Sequence, residues 1–196
     1  MKKCMFAVLF LMVSFGTYAT NASGLLGMGY QAEKQGNYSE AFKYYTQSAK
    51  LGDAQAQANL GVLYFFGKGT NTNYKKSLFW LEKAKVKNNS SAYNNLAYMY
   101  VTGKGVKQNI PQAVLYYKKA ASLNEVGSQR RLGTIYFDGQ VVPQNLEQAY
   151  LYFSLAARSN DSVAASMLSV VTKQMTSQQL KQANDLVASY KLASTD

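Results

Sequence analysis

Leu60-Gly61-Val62-Leu63-Tyr64-Phe65-Phe66-Gly67-Lys68-Gly69 is the stretch that decides the fold, because the chain repeats it. Thirty-six residues on stands Leu96-Ala97-Tyr98-Met99-Tyr100-Val101-Thr102-Gly103-Lys104-Gly105, and after a further 36 Leu132-Gly133-Thr134-Ile135-Tyr136-Phe137-Asp138-Gly139. Leu168 continues the leucine series. Asn37, Asn73, Asn109 and Asn145 keep the same step, as do Ala41, Ser77, Ala113 and Ala149. Self-similarity at a fixed period of about 20–50 residues marks a solenoid, in which each unit buries its apolar face only by stacking on its neighbours. Such a fold offers a long surface in place of a catalytic pocket, and the first expectation for a surface is that it binds.

One unit, residues 54–89, reads as helix, loop, helix, turn. Ala54, Ala58, Leu60, Leu63 and Tyr64 recur at helical spacing, and Gly67-Lys68-Gly69 stops the run, since glycine readily takes the left-handed C-cap conformation. Asn73 stands at an N-cap position, and Ser77, Leu78, Trp80, Leu81 and Ala84 form the second helix. Asn37 with Glu40, Asn109 with Gln112 and Asn145 with Gln148 resemble capping boxes. Pro111 falls in a first turn, where its missing amide costs nothing. Small residues follow three of the leucines (Gly61, Ala97, Gly133) and allow a paired helix to approach closely. The expectation is an all-α, right-handed superhelix in one domain, residues 23–196, with units 24–53, 54–89, 90–125, 126–161 and a polar C-terminal cap at 162–191. The cap's last helix opens at Thr176, with Gln179 completing a capping box.

Residues 1–22 have the plan of a secretory signal peptide: Lys2 and Lys3, an apolar run from Cys4 to Phe15, and small residues with candidate cleavage points at Ala19 or Ala22. The apolar run is shorter than the about 20 residues of a membrane span. A bacterial periplasmic or secreted protein is expected. Cys4, the one cysteine, leaves with the signal, and there is no histidine. The most common general base and metal ligand is therefore missing, together with the usual partner of a nucleophilic serine. No cofactor, metal site or catalytic residue is expected.

Without the signal lysines the chain holds 19 basic and 10 acidic residues. Residues 68–131 hold twelve basic residues and two acids, Glu82 and Glu125, so the whole surplus lies in the two central units. The members expected to form a basic band are Lys68, Lys75, Lys76, Lys104 and Lys107. Such a band either draws in a partner with an acidic surface or is a solvated face. Lysine far outnumbers arginine, which with export argues against nucleic acid.

The quoted leucine-to-glycine strings resemble the Sel-1-like repeat, a tetratricopeptide relative with a longer loop marked by Gly-x-Gly. Gly103-Lys104-Gly105-Val106 matches that loop best, and Gln140-Val141 departs from it. The resemblance covers roughly residues 24–190. It implies a monomeric adaptor that holds another protein, in the envelope or against a secreted effector. Some members resemble immunity proteins that neutralise a toxin, and a few cysteine-rich ones are tied to penicillin hydrolysis, but this chain lacks their cysteines. It also implies that the first helix of each pair lines a concave groove. The residues expected there are Gln31, Val62, Phe65, Asn94, Tyr98, Val101, Arg130, Thr134 and Phe137. The aromatic strip Phe65, Tyr98 and Phe137 either anchors a bound peptide or fills gaps between repeats. Gly67-Lys68-Gly69 and Gly103-Lys104-Gly105 follow helices rather than precede them, so no helix N-terminus makes them phosphate cradles.

Overall fold

The computed structural model describes residues 21–193, with side-chain surroundings to Tyr190. The expected signal residues 1–20 lie outside the described residues. Ten α-helices and no strand occupy the described residues: α1 Ala22–Lys34, α2 Tyr38–Lys50, α3 Ala54–Phe66, α4 Tyr74–Val86, α5 Ser90–Thr102, α6 Ile110–Ser122, α7 Val126–Asp138, α8 Leu146–Arg158, α9 Ser162–Gln174 and α10 Ser177–Ala193. α1 through α8 pack as four antiparallel pairs, each pair stacks on the next, and the first helices α3 and α5, like α7 and α9, touch across units.

The asparagines at the 36-residue step cap α2, α4, α6 and α8, each side chain accepting from the amide three residues on. The expected return half of the capping box does not form at Asn109 or Asn145, and at Asn37 Glu40 contacts the side-chain amide rather than the backbone. The reason is that each cap residue's backbone N–H is already taken. Asn73, Asn109 and Asn145 donate to the carbonyls of Tyr64, Tyr100 and Tyr136 of the preceding helix, at 2.8, 3.0 and 2.9 Å. The full reciprocal box forms at Thr176 and Gln179. The first helices carry their own caps, Asn21, Asp53, Asn89, Glu125 and Asp161. Of these, α5, α7 and α9 are entered through left-handed Asn88, Asn124 and Asn160, and α3 through left-handed Gly52.

Gly67, Gly103 and Gly139 end their helices with φ of 68°, 69° and 66°. The second loop glycine does a different job. A Cβ on Gly69 would lie 2.1 Å from the Tyr38 carbonyl oxygen, and one on Gly105 2.6 Å from Tyr74 Cβ. The loop therefore seats its backbone directly on the second helix of the preceding unit.

The core runs as four linked clusters. Tyr45, Leu60 and Leu63 anchor the first, Leu81, Leu96 and Met99 the second, Tyr117 and Leu132 the third, and Phe153 and Val171 the fourth. The small residues beside the leucines have the expected role: Gly61 meets Leu81 and Gly133 meets the Phe153 ring, each with less than 3 Å for an added Cβ. α10 packs on α8 rather than pairing with α9. It covers Leu151, which is 5 % exposed, whereas the equivalent Phe79 and Leu115 on α4 and α6 are 51 % and 58 % exposed.

Candidate binding groove and inter-repeat cavity

All nine expected groove residues stand on first helices, but they do not form one strip. Gln31 is exposed on α1 and Val62 is half-buried on α3. Phe65 is buried and is not available to a ligand. Its ring lies against Tyr74 at 5.2 Å and Tyr98 at 5.6 Å, so this aromatic is a filler between units two and three. The cause is the Gly105 loop, which closes over Tyr74 and leaves the ring no path outward. Asn94 is half-buried and accepts a hydrogen bond from the Ser128 hydroxyl at 3.0 Å, a tie between repeats. Tyr98 is half-buried, with the Arg131 guanidinium 5.3 Å over its ring. Phe137 packs partly buried in the last cluster beside Leu146.

Val101, Arg130 and Thr134 are brought together. They line a cavity of about 280 Å³ between units three and four. The other walls are Ile110, Val114 and Tyr117 of α6, Arg131 and Ile135 of α7, and Val141 of the following loop. The sequence reading missed these. The signal that could have found them is a break in the repeat. Phe65, Tyr74 and Tyr98, which fill the preceding junction, become Val101, Ile110 and Thr134 one period later. Gly105 becomes Val141, which cannot seat on Ile110 as Gly105 seats on Tyr74. Three aromatic rings are lost at one junction, and the space remains.

Polar groups border this apolar space. The Arg130 Nε donates to Asp161 at 3.0 Å, and Asp161 also caps α9. Arg131 pairs with no carboxylate among the described residues. The Tyr117 hydroxyl is buried without a hydrogen-bond partner, and burial pushes its pKa up to about 12 although the Arg131 charge pulls it down.

The basic band is laid over aromatic faces. Lys68 sits 4.6 Å from the Tyr38 ring centre, Lys76 5.3 Å from Tyr64 and Lys104 5.7 Å from Phe65. Lys75 and Lys107 are exposed. Among the described residues only Lys85 and Arg130 meet a carboxylate, so most of the positive charge in residues 68–131 is not neutralised within the chain. No group of three or more His, Cys, Asp or Glu side chains gathers among the described residues. No described helix is long and apolar enough to cross a membrane.

Stacked helix pairs with a side-chain-lined face define a repeat protein of the helical solenoid class. The chain belongs to the Sel1 repeat family, whose model matches residues 22–53, 54–85, 90–125 and 126–161. Sel1 repeats are typically scaffolds for protein–protein interaction. Among solved structures, a protective antigen of uropathogenic Escherichia coli strains displaying an SLR fold superposes with a TM-score of 0.77 at 33 % identity, over 87 % of this chain and 38 % of that one. A Sel1 repeat protein from Oxalobacter formigenes gives 0.70 at 28 % identity, over 79 % of this chain and 65 % of its own. An uncharacterized protein of Neisseria meningitidis serogroup B is 53 % identical over 32 residues, 16 % of this chain and 7 % of the relative. The chain thus spans less than two thirds of the length of each of these relatives.

Proposed function

We propose that the chain is an exported, non-catalytic scaffold that holds a partner protein through an acidic surface of that partner. One observation carries this: twelve basic residues crowd two adjacent units, and the structure sets seven of them over aromatic rings and only two, Lys85 and Arg130, against carboxylates among the described residues. A cation over a ring keeps its outer side open to an anion. Such a face speeds encounter and selects partners more than it deepens affinity. The repeat family, typically one of protein–protein interaction scaffolds, supports a binding role over a catalytic one.

The test is affinity capture from an envelope extract with the mature chain, followed by binding kinetics on the captured partner. Lys75→Glu with Lys107→Glu reverses charge at two exposed sites that hold no aromatic ring. Association is expected to slow several-fold at low salt, with the gap closing as the Debye length shrinks to about 8 Å at physiological salt. Equal association rates at low salt refute the electrostatic reading. Turnover of an ester, β-lactam or muramyl substrate, abolished by a single carboxylate substitution, refutes the non-catalytic one.

A further inference from the structure

We propose that the cavity between units three and four captures the C-terminal residue of a partner chain, its apolar side chain inside and its carboxylate on Arg131. This rests on the reading of the chain as a protein-binding scaffold and names what part of the partner is held.

The cavity is a departure from the repeat. At the junction before it, the Phe65 ring packs against Tyr74 at 5.2 Å and Tyr98 at 5.6 Å and closes the space. One period later Val101, Ile110 and Thr134 leave about 280 Å³ open. That is just below the roughly 300–1,000 Å³ of sites that enclose a whole small molecule, and it suits one anchoring residue. The walls at Val101, Ile110 and Val141 are aliphatic, which favours an aliphatic or aromatic side chain.

The charged groups specify the rest. Arg131 lacks a carboxylate partner while its neighbour Arg130 is bound to Asp161. A guanidinium presents a planar fork that matches a carboxylate. Tyr117, which walls the same cavity, is 1 % exposed and its hydroxyl donates to nothing. Buried donors of this kind cost free energy unless a partner arrives. Glu125, the acid whose field also reaches Tyr117, spends its carboxylate on the Gly127 and Ser128 amides, so it does not occupy Arg131. An aspartate or glutamate side chain would satisfy the arginine but leave the apolar walls bare. A C-terminal Leu, Ile, Val or Phe carries an apolar side chain and a carboxylate on the same Cα, which is the combination these walls ask for.

The experiment uses methyl-labelled protein and nuclear magnetic resonance. Acetyl-leucine, the simplest mimic of a chain end, is titrated beside acetyl-leucinamide, which lacks the charge. A pool of heptapeptides ending in Leu, Ile, Val or Phe is compared as free acids and as amides. The free acids are expected to shift the Val101, Ile110, Val114 and Ile135 methyls saturably, and the amides to bind at least about tenfold more weakly, as for loss of a charged hydrogen bond. Arg131→Gln should erase that preference. Tyr117→Phe should weaken the free acids by about fivefold while leaving amide binding unchanged. That outcome separates a ligand contact from a structural orphan, whose removal would only stabilise the fold.

Free acids and amides that shift these methyls equally, or a preference that survives Arg131→Gln, overturn the proposal, as does the absence of any shift. If 4-methylpentanoate binds as tightly as the heptapeptide acids, the cavity is a small-acid site and the chain-end reading falls. In each of these cases capture of a partner that still depends on Lys75 and Lys107 leaves the scaffold reading standing. Loss of that capture dependence with the carboxylate preference intact would remove the electrostatic face and keep the cavity.

Discussion

Gly133→Ala in α7 and Gly27→Ala in α1 make the same chemical change in opposite surroundings. An added Cβ at Gly27 meets no atom within 4 Å. There the change lowers the backbone entropy lost on folding and should stabilise by about 0.5–1 kcal/mol. At Gly133 the same Cβ would lie 2.6 to 2.8 Å from three atoms of the Phe153 ring. That ring is 0 % exposed and sits in the last core cluster, so it has no solvent side to swing towards. Overpacking of this kind costs about 1–3 kcal/mol, and the propensity gain offsets only part of it. The expected net loss is about 1–2 kcal/mol at Gly133, by difference. For a chain of this length, each kcal/mol moves Tm by about 2–4 °C. Tm should rise by about 1–4 °C for Gly27→Ala and fall by about 2–8 °C for Gly133→Ala. Calorimetry and urea unfolding followed by far-UV circular dichroism read both. Shifts of the same sign in the two variants would refute the claim that the small residues exist to admit the neighbouring helix.

Gly69→Ala combines φ of +66° with a Cβ 2.1 Å from the Tyr38 carbonyl; it should lower Tm by more than Gly133→Ala does, while Val141→Gly, which restores the loop pattern, should not lower it. The raised phenols of Tyr117, Tyr45 and Tyr152, driven first by burial, favour the protonated form in the fold. Their contribution is intact below pH 10.0, the ordinary tyrosine value, and is lost as pH climbs through about 12 for Tyr117; alkaline unfolding should begin in that window, and Tyr117→Phe should blunt it. Asp161→Asn keeps the α9 cap but removes the ion pair with Arg130, whose side chain is 40 % exposed, and should cost no more than about 1 kcal/mol in urea unfolding. We further expect the exported form to start at Thr20: cleavage after Ala22 would remove the Asn21 cap of α1 and the Ala22 carbonyl to which the Ser48 hydroxyl donates, so mass spectrometry finding Ser23 at the N-terminus contradicts this.

The helical ladder was legible because it depends on features that recur: a leucine, a small residue, a stop glycine and a cap asparagine at one spacing. Each returns at a fixed place in every unit, so sequence alone displays it. The groove was harder. Phe65 and Val101 occupy the same column, yet one is buried filler and the other walls a cavity. The difference is made by Tyr74 against Ile110 and by Gly105 against Val141, which lie in the next helix and the next unit's loop. A repeat reads well along its period and poorly across its exceptions, because a missing ring matters only once neighbours have closed around the gap. The return half of the capping boxes at Asn109 and Asn145 failed for a similar reason: the amide it needs is claimed by a tyrosine carbonyl nine residues earlier, a contact no local pattern announces.

The placement of α10 gives the ladder a direction of growth. Because α10 lies on α8 and dries Leu151, the downstream end is closed by a helix that a further unit would have to displace. The third and fourth units and α9 are entered by the same kind of turn, left-handed at Asn88, Asn124 and Asn160. Gene duplication or design could insert whole 36-residue steps at the Asn88 and Asn124 turns and leave the α8–α10 contact untouched, while an insertion after Arg158, at the Asn160 turn, would break it. Relatives of different length built on this plan should therefore vary in the number of interior units and keep the last two helices as a set.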